Sequence, residues 1–158
     1  MLEVNNIYKT FNPGTVNEKL ALDGLSLKLK EGDFVTVIGG NGAGKSTMLN
    51  AIAGVWPVDE GEIIIDGKNV TKLPEHKRAA YLGRVFQDPM MGTAATMGID
   101  ENMALAMRRG KSRGLRIGIT QKERNQFREM LKVLDLGLED RLTSKVGLLS
   151  GGQRQAVT

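Results

Sequence analysis

Residues 39–47 have the composition and spacing needed to hold a chain of phosphates. The segment reads Gly-Gly-Asn-Gly-Ala-Gly-Lys-Ser-Thr and matches the pattern G-x4-G-K-[ST]. Glycines permit positive φ, so successive backbone N–H groups can turn inward around an anion. Lys45 would bring a positive charge to the β- and γ-phosphates, and the Ser46 hydroxyl would bind Mg²⁺. We predict a phosphate-binding loop (P-loop) here; the alternative is a glycine-rich turn with an incidental lysine.

The predicted P-loop assigns nucleotide-binding roles to several consecutive residues. Lys45 is in addition a candidate catalytic residue. The predicted nucleotide-binding residues of this segment are Gly39, Asn41, Gly42, Ala43, Gly44, Lys45, Ser46 and Thr47.

A second pair of glycines lies near the end of the sequence. Residues 149–156 read Leu-Ser-Gly-Gly-Gln-Arg-Gln-Ala, in which Ser150 and Gln153 form a capping box at the start of a helix. Gly151 and Gly152 would leave the N–H groups of the first turn uncovered, and such a helix start can bind an anion. A helix cap that merely contains two glycines is the alternative.

The P-loop must be held between a strand and a helix. Residues 34–38 are apolar and β-branched, which predicts a buried strand of a parallel sheet running directly into Gly39. From Lys45 onward, Met48, Leu49 and Ile52 have helical spacing, and Gly54 follows as a C-terminal stop.

Further elements surround this unit. Residues 2–8 and 25–30 alternate apolar and polar residues, and a turn at residues 12–14 lies between them. The remaining predictions before position 87 are a strand at 62–65 with a hairpin turn at 66–67, a short helix beginning at 73–75, and a strand at 81–86.

The second half of the sequence predicts helices. A helix over residues 100–109 has acidic residues in its first turn and arginines in its last. A capping box at Thr120 and Glu123 begins another, with its apolar face formed by Phe127, Met130, Leu131 and Leu134. We therefore expect residues 1–86 to form a nucleotide-binding core with a β subdomain, and residues 87–158 to form a helical subdomain.

The composition excludes several other classes of protein. The chain has 158 residues, of which 41% are hydrophobic and 25% charged, as in an ordinary globular domain. No apolar run approaches the ~20 residues of a membrane span or forms a signal-peptide core, so we expect a cytoplasmic protein.

The absence of cysteine excludes disulfides and thiolate metal sites, and a single histidine, His76, argues against a Ser-His-Asp triad. We expect His76 to be exposed. The net charge of +4 is too small to indicate a nucleic-acid partner by itself.

The two glycine motifs together resemble the ATP-binding cassette (ABC) family. Residues 149–153 read Leu-Ser-Gly-Gly-Gln, the family's signature, and Ser150 follows Ser46 by 104 residues, as in compact transporter cassettes. The resemblance implies an α/β P-loop NTPase fold with a mixed or antiparallel β subdomain and an α-helical signature subdomain. It also implies that ATP and Mg²⁺ are the cofactors.

The resemblance assigns roles to two further residues. Phe11 takes the place of the aromatic residue that stacks on adenine, and the alternative is a core phenylalanine at a strand end. Gln87 resembles the family's Q-loop glutamine, which contacts Mg²⁺ and the attacking water; the alternative is a solvent-facing loop residue.

The partners are likewise implied by the resemblance. Two cassettes pair head to tail, and the signature residues of one, here Ser150, Gly151, Gly152 and Gln153, complete the ATP site of the other. A separate transmembrane permease would receive the work of ATP hydrolysis, which places the cassette on the inner face of the cell membrane.

In the family the signature is followed by a strand that ends in Asp-Glu and later by a switch histidine, whereas this sequence stops at Thr158. We therefore expect a domain with an incomplete core that does not hydrolyse ATP alone. A natural short protein whose sheet edge is covered by a partner is the alternative.

A second function within the family is a soluble ABC ATPase that acts on nucleic acid or ribosomes. Residues 108–116 contain five basic residues among nine and could contact phosphates. No aromatic residues are interleaved, so a loop that faces solvent or lipid headgroups is favoured and nucleic acid is not. A third hypothesis is that this chain is a fragment that binds nucleotide but does not hydrolyse it.

Overall fold

The computed structural model describes residues 1–111, 114–115 and 117–158. These residues form two compact units, Met1–Leu82 and Gly83–Thr158. The first unit contains β1 (Leu2–Phe11), β2 (Lys19–Leu29), α1 (Lys45–Ala53), β3 (Glu60–Ile65), β4 (Lys68–Asn69) and α2 (Glu75–Arg78). The second unit contains α3 (Ile99–Met107), α4 (Gln121–Lys132), a 3-10 helix (Val146–Leu148) and α5 (Gly151–Val157).

The first unit is built on an antiparallel sheet with the strand order β2-β1-β3-β4. The two alternating segments at its start are strands, as predicted, and the β1–β2 pairing extends from Leu2 opposite Leu29 to Phe11 opposite Lys19. The predicted strand at 62–65 and its hairpin turn are confirmed as β3, β4 and the intervening turn. The predicted short helix is α2.

An irregularity in β1 decides which of its side chains enter the core. Asn6 has a φ of 46°, and the register of β1 shifts between Val4 and Ile7. Because a bulge adds one residue to the usual alternation, Val4 and Ile7 are both buried although they are three positions apart. They join α1 and β3 in one cluster of buried residues: Val4, Ile7, Leu22, Met48, Ala51, Ile63, Ile65 and Val70.

The predicted buried strand at residues 34–38 is wrong in this structure. The segment has no strand pairing among the described residues, and all five of its residues are exposed, with Phe34 at 95% and Ile38 at 90%. The apolar, β-branched pattern indicates a preference for burial in a sheet. A strand also needs a neighbouring strand with which its backbone can form hydrogen bonds. The described sheet offers none to this segment. The P-loop is therefore preceded by unpaired chain.

The predicted strand at residues 81–86 is also wrong. Tyr81 and Leu82 pack against the core of the first unit, while Arg84 in the second unit places its guanidinium 4.6 Å from the centre of the Phe86 ring. Residues 81–86 belong to no strand of the described chain; packing accounts for Tyr81, Leu82 and Phe86, but Val85 is 66% exposed.

The second unit is helical, as predicted. α3 ends at Met107, two residues before the predicted end, and α4 begins at the predicted capping box. Of the predicted apolar face of α4, Phe127 and Leu131 are buried, whereas Met130 is half exposed. The buried cluster of this unit contains Ile99, Ala104, Phe127, Leu131, Leu138, Leu142, Val146 and Leu149. Within the described ranges, no helix is long and apolar enough to cross a bilayer.

Candidate functional site

The P-loop turns sharply into α1 through two glycines in the left-handed region. Gly42 and Gly44 have φ values of 83° and 84°. A Cβ on Gly44 would lie only 2.6 Å from the carbonyl oxygen of Ala21, so this position requires glycine for its conformation and for its space. α1 then begins at Lys45, and the N–H of Met48 donates to the Gly44 carbonyl over 2.8 Å. The predicted glycine loop and helix are both present.

The Lys45 side chain folds back over the loop. Its ammonium donates hydrogen bonds to the carbonyl oxygens of Gly39 (2.6 Å) and Gly40 (2.7 Å). The positive charge is thus held beside the glycine backbone. A charge in this position, close to the positive end of the α1 dipole, favours an anionic ligand.

The two hydroxyl residues after Lys45 have different surroundings. Ser46 is exposed in the first turn of α1, whereas Thr47 is buried. Ser46 therefore offers the more accessible hydroxyl to a ligand. Asn41 and Ala43 are also exposed. All eight predicted P-loop residues lie at this single junction of loop and helix.

Phe11 ends β1 and contacts the only tryptophan of the chain. The rings of Phe11 and Trp56 are 4.9 Å apart between centroids and meet edge to face at 81°. The Lys9 ammonium lies 5.8 Å from the centre of the Phe11 ring and pairs with Asp59 over 2.7 Å. Phe11 is half-buried and lies outside the buried core cluster. Part of its ring is therefore accessible to a ligand.

The second glycine pair begins α5 with the predicted capping box. The Ser150 hydroxyl accepts the Gln153 N–H over 3.3 Å, and the Gln153 carbonyl oxygen of the side chain accepts the Ser150 N–H over 3.2 Å. Gly151 and Gly152 are exposed, and a Cβ on either would meet nothing within 4 Å. The start of α5 is therefore open to solvent.

A buried arginine, which the sequence did not single out, anchors α5. Arg154 is 2% exposed and donates to the Thr93 hydroxyl (2.6 Å), the Met90 sulfur (2.7 Å) and the Met90 carbonyl (3.2 Å). Its partners lie more than sixty positions earlier in the chain, so no local pattern could indicate them. Arg154 thus joins α5 to the segment that follows Gln87.

Gln87 itself is exposed, and it belongs to the second unit. The residue before it, Phe86, accepts a hydrogen bond from the Gln155 side chain through its backbone carbonyl over 3.5 Å. The second unit thus brings the Gln87 segment and the signature helix together, whereas the P-loop and Phe11 belong to the first unit.

A second buried arginine lies at the other end of the P-loop helix. Arg78 is 1% exposed and donates to the carbonyls at the end of α1, Ala51 (2.6 Å) and Ile52 (3.0 Å). It also donates to the Leu73 and Thr71 carbonyls. Burial lowers the pKa of Arg78, but a guanidinium remains protonated at any ordinary pH. Arg78 follows the exposed His76 in a run of charged residues, a pattern typical of a segment that faces solvent. The burial of Arg78 was therefore not predicted from the sequence.

The basic stretch is only partly described, because Arg113 and Arg116 lie outside the described residues. Arg108 donates to the Glu123 carboxylate over 2.8 Å and to the Gly118 carbonyl. The Thr120 N–H and the Arg108 guanidinium hold the pKa of Glu123 down to about 2. Arg108 is therefore engaged in holding the start of α4.

Comparisons with known proteins point to one family. Residues 22–158 match the family model of the ABC transporter. The chain is 39% identical over 163 residues to the tyrosine transport ATP-binding protein of Clostridioides difficile (strain R20291), covering 100% of this chain and 62% of that protein. It is 36% identical to the lipoprotein-releasing system ATP-binding protein LolD of Acinetobacter baylyi, covering 99% of this chain and 66% of that protein.

Solved structures give the same result. The fold matches the ATP-binding cassette MJ0796 in a dimeric, post-hydrolysis state bound to ADP and Pi, with a TM-score of 0.79, 33% identity, and coverage of 99% of this chain and 66% of that one. The α/β arrangement of a P-loop nucleotide-binding protein is thus confirmed. The chain belongs to the ABC transporter family. It spans less than two thirds of the length of these relatives.

Proposed function

We propose that this chain binds ATP as the nucleotide-binding part of an ABC transporter, whose complete cassette dimer hydrolyses ATP to drive a separate membrane permease. The observation that carries the proposal is the P-loop junction, where Gly42 and Gly44 turn the backbone into α1 and Lys45 lies over the loop. The match to the ABC transporter family model and the similarity to a tyrosine transport ATP-binding protein support the transporter hypothesis over a nucleic-acid function. They also support a location at the membrane, which we assign to its inner face.

Each part of the P-loop has a role in this proposal. Backbone N–H groups of residues 39–47 bind phosphate oxygens, and Lys45 neutralises the charge of the terminal phosphates and favours the charge that develops during hydrolysis. Phe11 stacks on the adenine ring, with its own position fixed by Trp56.

The donor set fits Mg²⁺ held jointly with phosphates. In the first unit, Ser46 is exposed and offers a neutral oxygen, which suits a hard cation. Gln87, the other predicted ligand, is exposed in the second unit and also carries a neutral oxygen. The described residues contain no cluster of three or more His, Cys, Asp or Glu side chains that could hold a metal. Mg²⁺ commonly uses few protein ligands and takes the rest from substrate phosphates and water. Bound Mg²⁺ would supply charge neutralisation at the phosphates.

The signature is assigned to a second cassette. Ser150, Gly151, Gly152 and Gln153 form an open helix start, and we propose that this surface meets the ATP held by the P-loop of the partner cassette. The dimer of the similar cassette MJ0796 supports a pairing of this kind.

The test of the proposal is ATP binding by the Lys45→Ala variant, measured by isothermal titration calorimetry. We expect the wild-type protein to bind ATP and the variant to lose more than about tenfold in affinity, since a charge-assisted contact with phosphate is removed. Lys30→Ala, at an exposed position outside the loop, is the matched control for the loss of one positive charge. Equal ATP affinity in the wild-type and Lys45→Ala proteins would contradict the proposal.

A further inference from the structure

A second lysine lies beside the P-loop without belonging to its motif. Lys19 is the first residue of β2 and pairs directly with Phe11 across the β1–β2 ladder. Its position is therefore fixed by the strand that carries the proposed adenine-stacking ring.

The start of β2 runs along the P-loop. The Lys19 ammonium lies 3.7 Å from the point where a Cβ on Gly42 would be, and the Ala21 carbonyl lies 2.6 Å from the corresponding point on Gly44. Two contacts, two residues apart on each segment, thus align β2 with the loop. They place the ammonium of Lys19 at the part of the loop whose backbone is predicted to face phosphate.

The charge of Lys19 is not used elsewhere in the structure. Among the described residues its ammonium has no carboxylate partner, in contrast to Lys9, which pairs with Asp59. Lys19 is also exposed, so a ligand can reach it. A lysine that pairs in register with the aromatic residue and reaches the glycine loop suits a ligand with an aromatic base at one end and phosphates at the other.

We propose that Lys19 is a further binding residue of the nucleotide site, whose ammonium contacts the phosphate chain of bound ATP between the base and the P-loop. The inference rests on the proposed function, because it takes Phe11 and the P-loop as the two ends of the ATP site. Lys19 is a determinant of affinity for the phosphates and not for the base.

The test compares Lys19→Gln with Lys19→Arg by calorimetric titration with ATP, ADP and adenosine. We expect Lys19→Gln to bind ATP and ADP roughly 2- to 5-fold more weakly, as for the loss of one exposed charge contact. Adenosine affinity should be unchanged, and Lys19→Arg should restore binding of ATP. The ATP affinity of Lys19→Gln should also fall less steeply with added salt, because one screened contact is gone.

Lys30→Gln, at an exposed position just beyond β2, is the matched control for net charge. The inference is overturned if Lys19→Gln binds ATP as the wild-type protein does, or if Lys30→Gln loses as much affinity. An equal loss of adenosine affinity also overturns it, since that would indicate displacement of Phe11. A wild-type protein that does not bind ATP overturns the proposed function and the inference with it, whereas the other outcomes leave ATP binding intact.

Discussion

Gly44 shows how a single residue can be fixed by two independent physical requirements. Its φ of 84° lies in the region that side chains with a Cβ disfavour, and the Ala21 carbonyl occupies the space beside it. The motif requires glycine at this position because of the positive φ, which is a local property of the backbone. The second reason depends on β2, more than twenty positions earlier.

Gly44→Ala should therefore destabilise the protein and weaken ATP binding together. The left-handed conformation alone costs about 1–2 kcal/mol for alanine, and the contact with the Ala21 carbonyl adds to it. Urea unfolding measures the loss of stability, and titration with ATP measures the loss of affinity.

Gly40→Ala is the matched control for this substitution. Gly40 has no positive φ, and its added Cβ would meet nothing within 4 Å, so the change in stability should stay within about 0.5 kcal/mol. Equal unfolding free energies for the two variants would contradict the steric account of Gly44.

The residues whose local conformation could be predicted from sequence are those that depend on neighbours within a few positions. The P-loop residues and the Ser150 capping box are of this kind, because motif spacing and helix capping are local. Lys19, Arg78 and Arg154 were not found, since their contacts are made with segments far along the chain.

At the scale of elements, helix starts were predicted more securely than strands. α4 and α5 begin at their predicted capping boxes. The strand prediction at 34–38 failed because apolar, β-branched residues show only a preference for a sheet, while pairing depends on a second segment. In β1 the bulge at Asn6 changes the alternation. Two consecutive asparagines, a residue type that tolerates positive φ, were the signal for it that the strand prediction did not use.

The capping box of α4 should make stability depend on acid pH. The pKa of Glu123 is lowered from 4.5 to about 2, first by the Thr120 N–H and next by Arg108. A lowered carboxyl pKa in the folded state contributes stability that is present above about pH 4.5 and lost as the pH falls toward 2. Thermal unfolding midpoints measured across this window should fall with pH in the wild-type protein.

Glu123→Gln should flatten that dependence, because glutamine keeps the capping geometry but does not titrate. Glu129→Gln, at an exposed position on the same helix, controls for the removal of one carboxylate. If the slope between pH 4.5 and 2 were the same in wild-type and Glu123→Gln proteins, the capping box would not be its source.

The two glycine motifs belong to different compact units of the protein. The first unit holds Phe11, the P-loop and Lys19, and the second holds Gln87 and the signature. In the proposed function the P-loop of one cassette and the signature of another act on the same nucleotide. In that proposal the first unit binds ATP, and the signature acts only when two cassettes meet.

Ser150→Ala should separate these roles. Ser150 caps α5 and belongs to the proposed partner-facing surface, so the variant should bind ATP with wild-type affinity but form less of the ATP-dependent dimer. Light scattering with and without ATP measures the fraction of the protein that is dimeric. Calorimetric titration at low protein concentration measures the ATP affinity of the monomer. An equal loss of ATP affinity in monomeric Ser150→Ala and Lys45→Ala would contradict the division between the two surfaces.

In the proposed site ATP binds with its base at Phe11 and its phosphates at the P-loop, and the fluorescence of Trp56 can report on this binding. It is the only tryptophan, and its ring is 4.9 Å from that of Phe11, so its fluorescence should respond to a base stacked there. We predict a saturable change in Trp56 emission on titration with ATP, and no such change with Lys45→Ala over the same range of concentrations. Emission that does not respond to ATP in the wild-type protein, or that responds equally in Lys45→Ala, would contradict the account.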